Sequence, residues 1–466
     1  MPVRVSSRTG IILPEIKEQM WNKPDQNVTS HHRDKRAPSK MVNVAAKPLE
    51  PDPEGARVDL YLKLGMMLYE AGASVHRTID SVRYCAQTFG DNDIHVFVNY
   101  ESIEVSRRDG NYTHFRMHAL KAPIKMNAAL LHKISRLLIS SRQNGELPPN
   151  VTENLATLSK QPPVVPKIVT ILAVGLACST VALLSHADFN ALWIVMVAAS
   201  VGYATKLFSI VRTGNIYLTV LLSAIVTTGI AFVLLKIAGS ETKETALVSS
   251  VLFLVPGLVL INSGLDILRN HMVCGMARIN SVMVQILILT GVLLVPLSMI
   301  PMMPGSQAEN HSAWMTILIS LVAAGIATLG GALMQNVPLK ALAGTIVIGG
   351  FARAILDIAV HYHFDPILSV FAAMTVATLL AFILGRITRV SEVVIAVVVA
   401  IPMIPGIASI NGIKGLFHLA HASALPDAAL VQATLQSSLF AVSVILALIA
   451  SIIFPIIILT LGKPRV

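Results

Sequence analysis

The chain has 466 residues, of which 54% are hydrophobic and 13% charged, with a mean hydropathy of +0.68. Soluble domains carry about 25% charged residues, so a single water-soluble globule is excluded. The formal net charge is +10, yet no basic stripe with interleaved aromatics goes with it. That argues against a nucleic-acid partner and for basic segments held on one side of a membrane.

Charge is unevenly placed. Residues 1–167 hold 23 Lys+Arg and 17 Asp+Glu, whereas the remaining residues hold 13 and 9. A polar first third therefore precedes a membrane remainder, and the lipid bilayer is the first partner implied. Cys85, Cys178 and Cys274 lie far apart with no CxxC, which suggests neither a disulfide framework nor a zinc site. The polar first 50 residues lack the apolar core of a signal peptide.

In chain order, residues 1–55 are rich in Pro, Lys, Arg and Asn and are expected to be a disordered lead. Residues 56–160 are expected to form a small cytosolic α+β domain. It begins with a helix over 59–72 that closes at Gly72 and a second from about Ser74 to Phe89. Alternating β-prone runs follow at 94–100, 102–108 and 112–118, with Asp109-Gly110 as a turn, and then a third helix over about 125–142.

From Lys167 onwards the apolar runs fall near 168–186, 191–210, 216–237, 246–263, 281–300, 313–334, 340–360, 366–385, 392–411 and 432–460. A span needs roughly 20 apolar residues, so an α-helical polytopic membrane protein with ten transmembrane helices is expected. A cytosolic N-terminus puts nine basic residues inside: Lys206, Arg212, Arg269, Arg278, Lys340, Arg386, Arg389, Lys463 and Arg465. Only Lys236, Lys243 and Lys414 fall outside. This bias predicts a multi-pass inner-membrane protein with both termini cytoplasmic.

Two stretches repeat. VPGLVLIN at 255–262 and IPGIASIN at 404–411 share a Pro-Gly followed by Asn. A closer-looking match, IPMMPG at 300–305 against IPMIPG at 401–406, puts the spans out of step. It also runs into a polar loop. A shift of 149–150 residues keeps the spans aligned. It defines two five-helix repeats, 167–300 and 313–460, and an odd number of spans makes the second inverted. Pro removes a backbone donor and Gly loosens the chain. Helix breaks in hydrocarbon persist where they are buried or line a wet cavity, and paired breaks point to a transporter's central site. Pro256, Gly257 and Asn262, with Pro405, Gly406 and Asn411, are therefore the expected substrate-binding residues. The plain alternative is a pair of packing kinks.

Arg353 and Asp357 lie four apart on one helix face at membrane depth. Arg353 suits a substrate carboxylate and Asp357 an ammonium group or a proton; a self-neutralising ion pair is the structural alternative. Asp266 and Glu392 lie near span ends, where snorkelling accounts for them. Capping accounts for Gln335 and Asn336. His311, His361, His363, His418 and His421 fall in expected outer loops as solvated side chains, so neither metal nor cofactor is expected. No GxxxxGK[ST], HExxH or GxSxG occurs. This favours gradient-driven transport over an enzyme. A hydrolase or sensor built on Ser74, His76 and Asp80 is the minor alternative, because neighbours on one helix rarely form a triad.

The stretch LKLGMMLYEAGASVHRTIDSVRYCAQTFG, followed by IHVFVNYESIEVS, resembles the opening domain of the threonine/serine exporter family. The segment PGLVLINSGLDILRNHMVCGMARI resembles that family's Pro-Gly…Ile-Asn-x-x-x-Asp motif ending in Gly-x-Ala-Arg. The second half, with IPMIPG, resembles a partner subunit that is separate in two-component relatives associated with succinate export. The resemblance covers about 57–460. It carries over Glu70, Gly72 and Arg77, then Pro256, Gly257, Asn262, Asp266 and Arg278, then Pro405 and Gly406. Two positions depart from the pattern: Gly415 stands where the second half would repeat Asp266, and Ala-Ser-Val-His follows Gly72 where many relatives have a Pro.

The resemblance implies export driven by the proton-motive force, with Asp357 and Asp266 as candidates for proton coupling. Threonine and serine are the expected substrates and a dicarboxylate such as succinate the alternative. Two carboxylates call for more than one cation, and in the sequence only Arg353 looks deep. A homo-oligomer is left open.

Overall fold

The computed structural model describes residues 53–110, 112–120, 126–144, 151–159, 161–300, 312–420 and 427–460. The expected lead up to residue 52, the tail bearing Lys463 and Arg465, and His311 and His421 lie outside the described residues.

Helices α1 (Pro53–Glu70) and α2 (Val75–Thr88) are joined by a tight link. Gly72 takes φ +90°, and the Ala73 N–H reaches back to the Leu68 carbonyl, the left-handed closure typical of a helix C-terminus. Ser74 then caps α2, its Oγ accepting the Arg77 N–H. Strands β1 (Ile94–Val98), β2 (Ser102–Asp109) and β3 (Tyr112–Ala119) form an antiparallel meander in that order. Val98 faces Ile103 and Val96 faces Val105. The alternation along β1 buries Ile94, Val96 and Val98 in a core shared with Tyr61, Leu64, Leu68 and, from α3 (Ala128–Asn144), Leu131 and Ile134. Helix α4 (Val151–Ser159) follows. The sequence reading did not include it.

Among the described residues, eight helices are long and apolar enough to cross a membrane: α5 (Lys167–Leu184), α6 (Phe189–Thr213), α7 (Ile216–Ala238), α10 (Met272–Ser298), α11 (Ala313–Met334), α12 (Leu339–His361), α13 (Pro366–Thr388) and α16 (Ala428–Thr460). The chain is a multi-pass α-helical membrane protein. Two of the ten expected runs are not continuous. Helix α8 (Lys243–Ser250) passes through a 3₁₀ turn, Leu252–Leu254, into α9 (Gly257–Leu268), and the two arms bend by 55°. Helix α14 (Glu392–Ala400) passes through Ile401–Met403 into α15 (Gly406–Ala420). The described residues thus hold eight unbroken spans, or nine with the bent pair taken as one, and the two expected breaks account for the difference from ten.

Of the basic residues expected in loops, Lys206, Arg212, Lys236, Lys243, Arg278, Lys340, Arg386 and Lys414 lie inside helices, and Arg278 and Lys414 lie deepest. Arg278 lies in α10, which begins nine residues before the run at 281–300, and Lys414 lies in α15. Both are buried and each meets a carboxylate, Asp266 and Glu244 respectively. Pairing is what makes a charge tolerable there.

Neighbour relations recur along the chain. Helix α5 packs on α6, α6 on α7, and α7 on α8 and α10; likewise α11 packs on α12, α12 on α13, and α13 on α14 and α16. Left-handed residues end the same helices: His186, Gly214 and Gly239 in the first set, and Asn336, His363 and Arg389 in the second, each pair 149 or 150 residues apart. Asn215 and Asp365, also 150 apart, each accept two backbone N–H groups at the start of α7 and α13.

Helices α5 and α11 pack against each other, and the Val164 N–H donates to Asn336 Oδ1 at 2.8 Å. The start of α5 is therefore beside the end of α11, so the two run antiparallel. The N-terminal layer docks at this near face. The N–H groups of Ala128 and Ala129 donate to the Gln335 and Asn336 carbonyls, Asn336 Nδ2 donates to Asn127 Oδ1 at 2.6 Å, and His132 Nδ1 lies 2.9 Å from the Arg389 carbonyl. Gln335 and Asn336 are thus docking points as well as helix-end residues.

Candidate functional site

The two Pro-Gly phrases make the same turn. Gly257 N–H reaches the Val255 carbonyl at 2.9 Å, and Gly406 N–H reaches the Ile404 carbonyl at 2.8 Å. The ladder is interrupted just before each proline, which leaves carbonyls to be satisfied from elsewhere. At the second break Arg353 Nη1 donates to the Pro402 carbonyl at 2.9 Å. At the first break Lys206 Nζ lies 3.4 Å from the Phe253 carbonyl and 5.8 Å from the Phe253 ring centroid. Phe253 and Pro402 are each the middle residue of their 3₁₀ turn and lie 149 apart.

A cavity of about 210 Å³ lies between the breaks, bordered by Phe253, Val255 and Gly257 on one side and Ile401 and Ile404 on the other. Its walls are apolar apart from Gln335. A second cavity, about 350 Å³, opens beside the second break. Arg353, Asp357, Pro405, Gly406, Ser185 and His186 line it, and Ile404 borders both spaces. Arg353 Nε is 3.1 Å from Asp357 Oδ1, and both side chains keep nearly a fifth of their surface exposed. The pair is therefore neutral overall yet reachable. The ends of α5 and α12 and the start of α13 surround it, which puts it at the far face.

At the near face, three side chains grip the α1–α2 link. Asn262 Nδ2 donates to the Gly72 carbonyl at 3.0 Å, Arg278 Nη2 to the Ala73 carbonyl at 3.2 Å, and the Val75 N–H to Asp266 Oδ1 at 3.0 Å. Asp266 and Arg278 form an ion pair at 2.8 Å with 0% and 1% side-chain exposure, and the guanidinium stacks 4.8 Å from the Tyr69 ring centroid. Asp266 is thus a buried, paired group and does not snorkel. Glu70 closes α1, half-buried. Arg77 donates to Ser135 Oγ at 3.2 Å, and burial lowers its guanidinium to about 10, so it stays charged at neutral pH. Gly72, Arg77, Asn262 and Glu392 border a space of about 20 Å³, room for one water.

The expected site residues therefore fall into two groups. Arg353, Asp357, Pro405 and Gly406 share the far cavity, whereas Gly72, Arg77, Asn262 and Asp266 gather at the near face. Pro256 sits at the first break, and Gly257 borders the central space. Asn262 and Asn411 do not meet: Asn262 is buried against Gly72, and Asn411 is exposed on α15. Ser74 serves as a helix cap, and His76 Nε2 lies 3.2 Å from Asp80. Sequence reasoning missed Lys206. Its place three residues from the Tyr203 that packs edge-on to Phe253 is visible only once α6 and the first break are in contact. Among the described residues, no group of three His, Cys, Asp or Glu is arranged to hold a metal ion.

Paired breaks with charged side chains inside a bundle of apolar helices define the class: a multi-pass membrane transporter. The chain belongs to the threonine/serine exporter family. The model described as "Putative threonine/serine exporter" matches residues 59–299, and that described as "Threonine/Serine exporter, ThrE" matches residues 320–458. A stretch of 114 residues is 31% identical to the "Probable succinate transporter subunit YjjP" of Klebsiella aerogenes, covering 24% of this chain and 44% of that protein. The match thus spans less than half of that relative's length. No solved structure matches the chain.

Proposed function

We propose that this chain is a secondary-active exporter of small carboxylate-bearing metabolites, threonine and serine first. It is driven by the proton-motive force from the inner membrane, with both termini in the cytoplasm. It works as ten segments in two inverted halves of five, the broken helices α8–α9 and α14–α15 being the fourth segment of each. The recurring helix ends, the repeated neighbour order and the antiparallel α5 and α11 support the inversion. Alternating access would then rock one half against the other around the central cavity.

The observation that carries the substrate class is the Arg353–Asp357 pair in the far cavity beside Pro405-Gly406. A guanidinium binds a carboxylate, and the carboxylate four residues on binds an ammonium group or a proton. Together they complement an amino-acid zwitterion and supply a proton-coupling group, with Asp266 as a second acidic candidate. The test is efflux of labelled threonine from proteoliposomes under an imposed pH gradient. Arg353→Gln is expected to lower it at least about tenfold, and Asp357→Asn to uncouple it from the gradient. Background rates from the wild-type chain for threonine and serine would overturn the amino-acid reading. The dicarboxylate alternative draws support from the named relative and predicts that unlabelled succinate competes with threonine.

A further inference from the structure

The two halves place a cation at the same point. In each, a basic side chain from the second helix reaches the middle carbonyl of the 3₁₀ turn that precedes Pro-Gly: Lys206 to Phe253, and Arg353 to Pro402. The two cations are not equally satisfied. Arg353 donates at 2.9 Å and also pairs with Asp357 one turn along α12. Among the described residues Lys206 has only the long 3.4 Å contact and the face of the Phe253 ring. The residue one turn along from it is Ile210. Among the described residues Lys206 has no carboxylate partner.

An ammonium group among apolar helices without a counter-ion is costly, and a weakly held one is free to take an anion. Phe253, whose carbonyl and ring Lys206 meets, lines the central cavity, and Ile404 lines both that cavity and the one that Arg353 borders. Lys206 stands towards the near-face end of α6 and Arg353 towards the far-face end of α12. The two cations thus flank the space between the breaks.

We propose that Lys206 is a carboxylate-binding cation on the near-face side of the central cavity, the mate of Arg353, and that a substrate carboxylate passes from one to the other during a transport cycle. The inference rests on the exporter reading and deepens it. It also means that two cations lie beside the breaks, so the sequence argument against a dicarboxylate does not hold.

The test uses the full chain in oriented proteoliposomes, with labelled threonine and labelled succinate presented to either face. Threoninamide, which lacks the carboxylate, serves as the control competitor. Lys206→Gln is expected to raise KM for entry from the near face at least about tenfold, with kcat within about twofold. Entry from the far face keeps its KM while its kcat falls in proportion, because the ratio of kcat/KM between the two directions is set by the driving force alone, and Lys206→Arg restores most of the affinity. An unchanged KM, or an equal loss of kcat from both faces, would reduce Lys206 to a structural donor for Phe253 and overturn the inference.

A second measurement needs no variant. Threonine or succinate, but not threoninamide, is expected to slow acylation of the Lys206 amine in the purified wild-type chain. Carboxylate-specific protection without transport would overturn the exporter reading and leave the Lys206 site standing. Transport without protection would do the reverse. Neither protection nor transport would overturn both.

Discussion

Asn262 was readable as a polar group following a helix break, but its partner was not. Its amide satisfies the Gly72 carbonyl 190 residues away, and that carbonyl is buried. Removing the donor is expected to cost about 1–3 kcal/mol for Asn262→Ala, seen as a lower unfolding temperature in detergent. Asn411→Ala, on an exposed side chain, is expected to stay within about 0.5 kcal/mol of wild type. Gly72 itself combines φ +90° with Met126 Sδ standing where a Cβ would go. The helix closure at Gly72 was legible from the Glu-Ala-Gly pattern, whereas the close approach of Met126 was not.

His132 gives a pH dependence at the same scale. Burial holds its imidazole below the ordinary value of 6.5, against the opposing effect of the Arg389 carbonyl. The unfolded chain therefore takes up the proton first as pH falls. Stability is expected to be undiminished above about 6.5 and to decline as pH drops from there towards the lowered value. His132→Gln is expected to flatten that slope in unfolding curves measured across pH.

At the scale of elements, the breaks and the closure at Gly72 were legible because their causes are local. Proline removes its own donor and glycine admits a left-handed φ, whereas the caps made by Ser74, Asn215 and Asp365 came only with the structure. The start of α10 was misjudged because Arg278 looks like a loop cation until Asp266 is found beside it. That pair fastens α9, α10 and the α1–α2 link into one unit. Removing one partner strands a buried charge, so Arg278→Met is expected to cost about 3–5 kcal/mol. The double variant Asp266→Leu with Arg278→Met is expected to recover part of the loss, read from unfolding of the purified chain. A double variant as unstable as the single one would show that the hydrogen bonds to Ala73 and Val75 outweigh the ion pair.

Across the whole molecule, the N-terminal layer contacts both halves at one face, through Asn262, Asp266 and Arg278 on one side and Gln335, Asn336 and Arg389 on the other. Any rocking of the halves must work against these contacts. The proposed orientation makes a direct prediction. Cys85, Cys178 and Cys274 are buried, so the wild-type chain supplies a quiet background for thiol labelling. Cysteine introduced at the exposed far-face Phe364 is expected to react with a membrane-impermeant maleimide on intact cells. Cysteine at the exposed near-face Leu339 is expected to react only after permeabilisation. The opposite result would reverse the orientation.

The sequence by itself determined that the chain is a polytopic helical membrane protein with a small α+β layer ahead of it. It also located the two helix breaks and the 149-residue period. Hydropathy, proline chemistry and turn residues act over a few neighbours, so they are written locally. Tertiary structure alone decided what the polar side chains at those breaks do. Asn262 turns to the N-terminal layer and Asn411 to the surface, Asp266 and Arg278 close on each other, and Lys206 and Arg353 come to matching carbonyls. The physical reason is that a charge inside a membrane is tolerated only through its partner, and these partners come from helices tens to hundreds of residues apart.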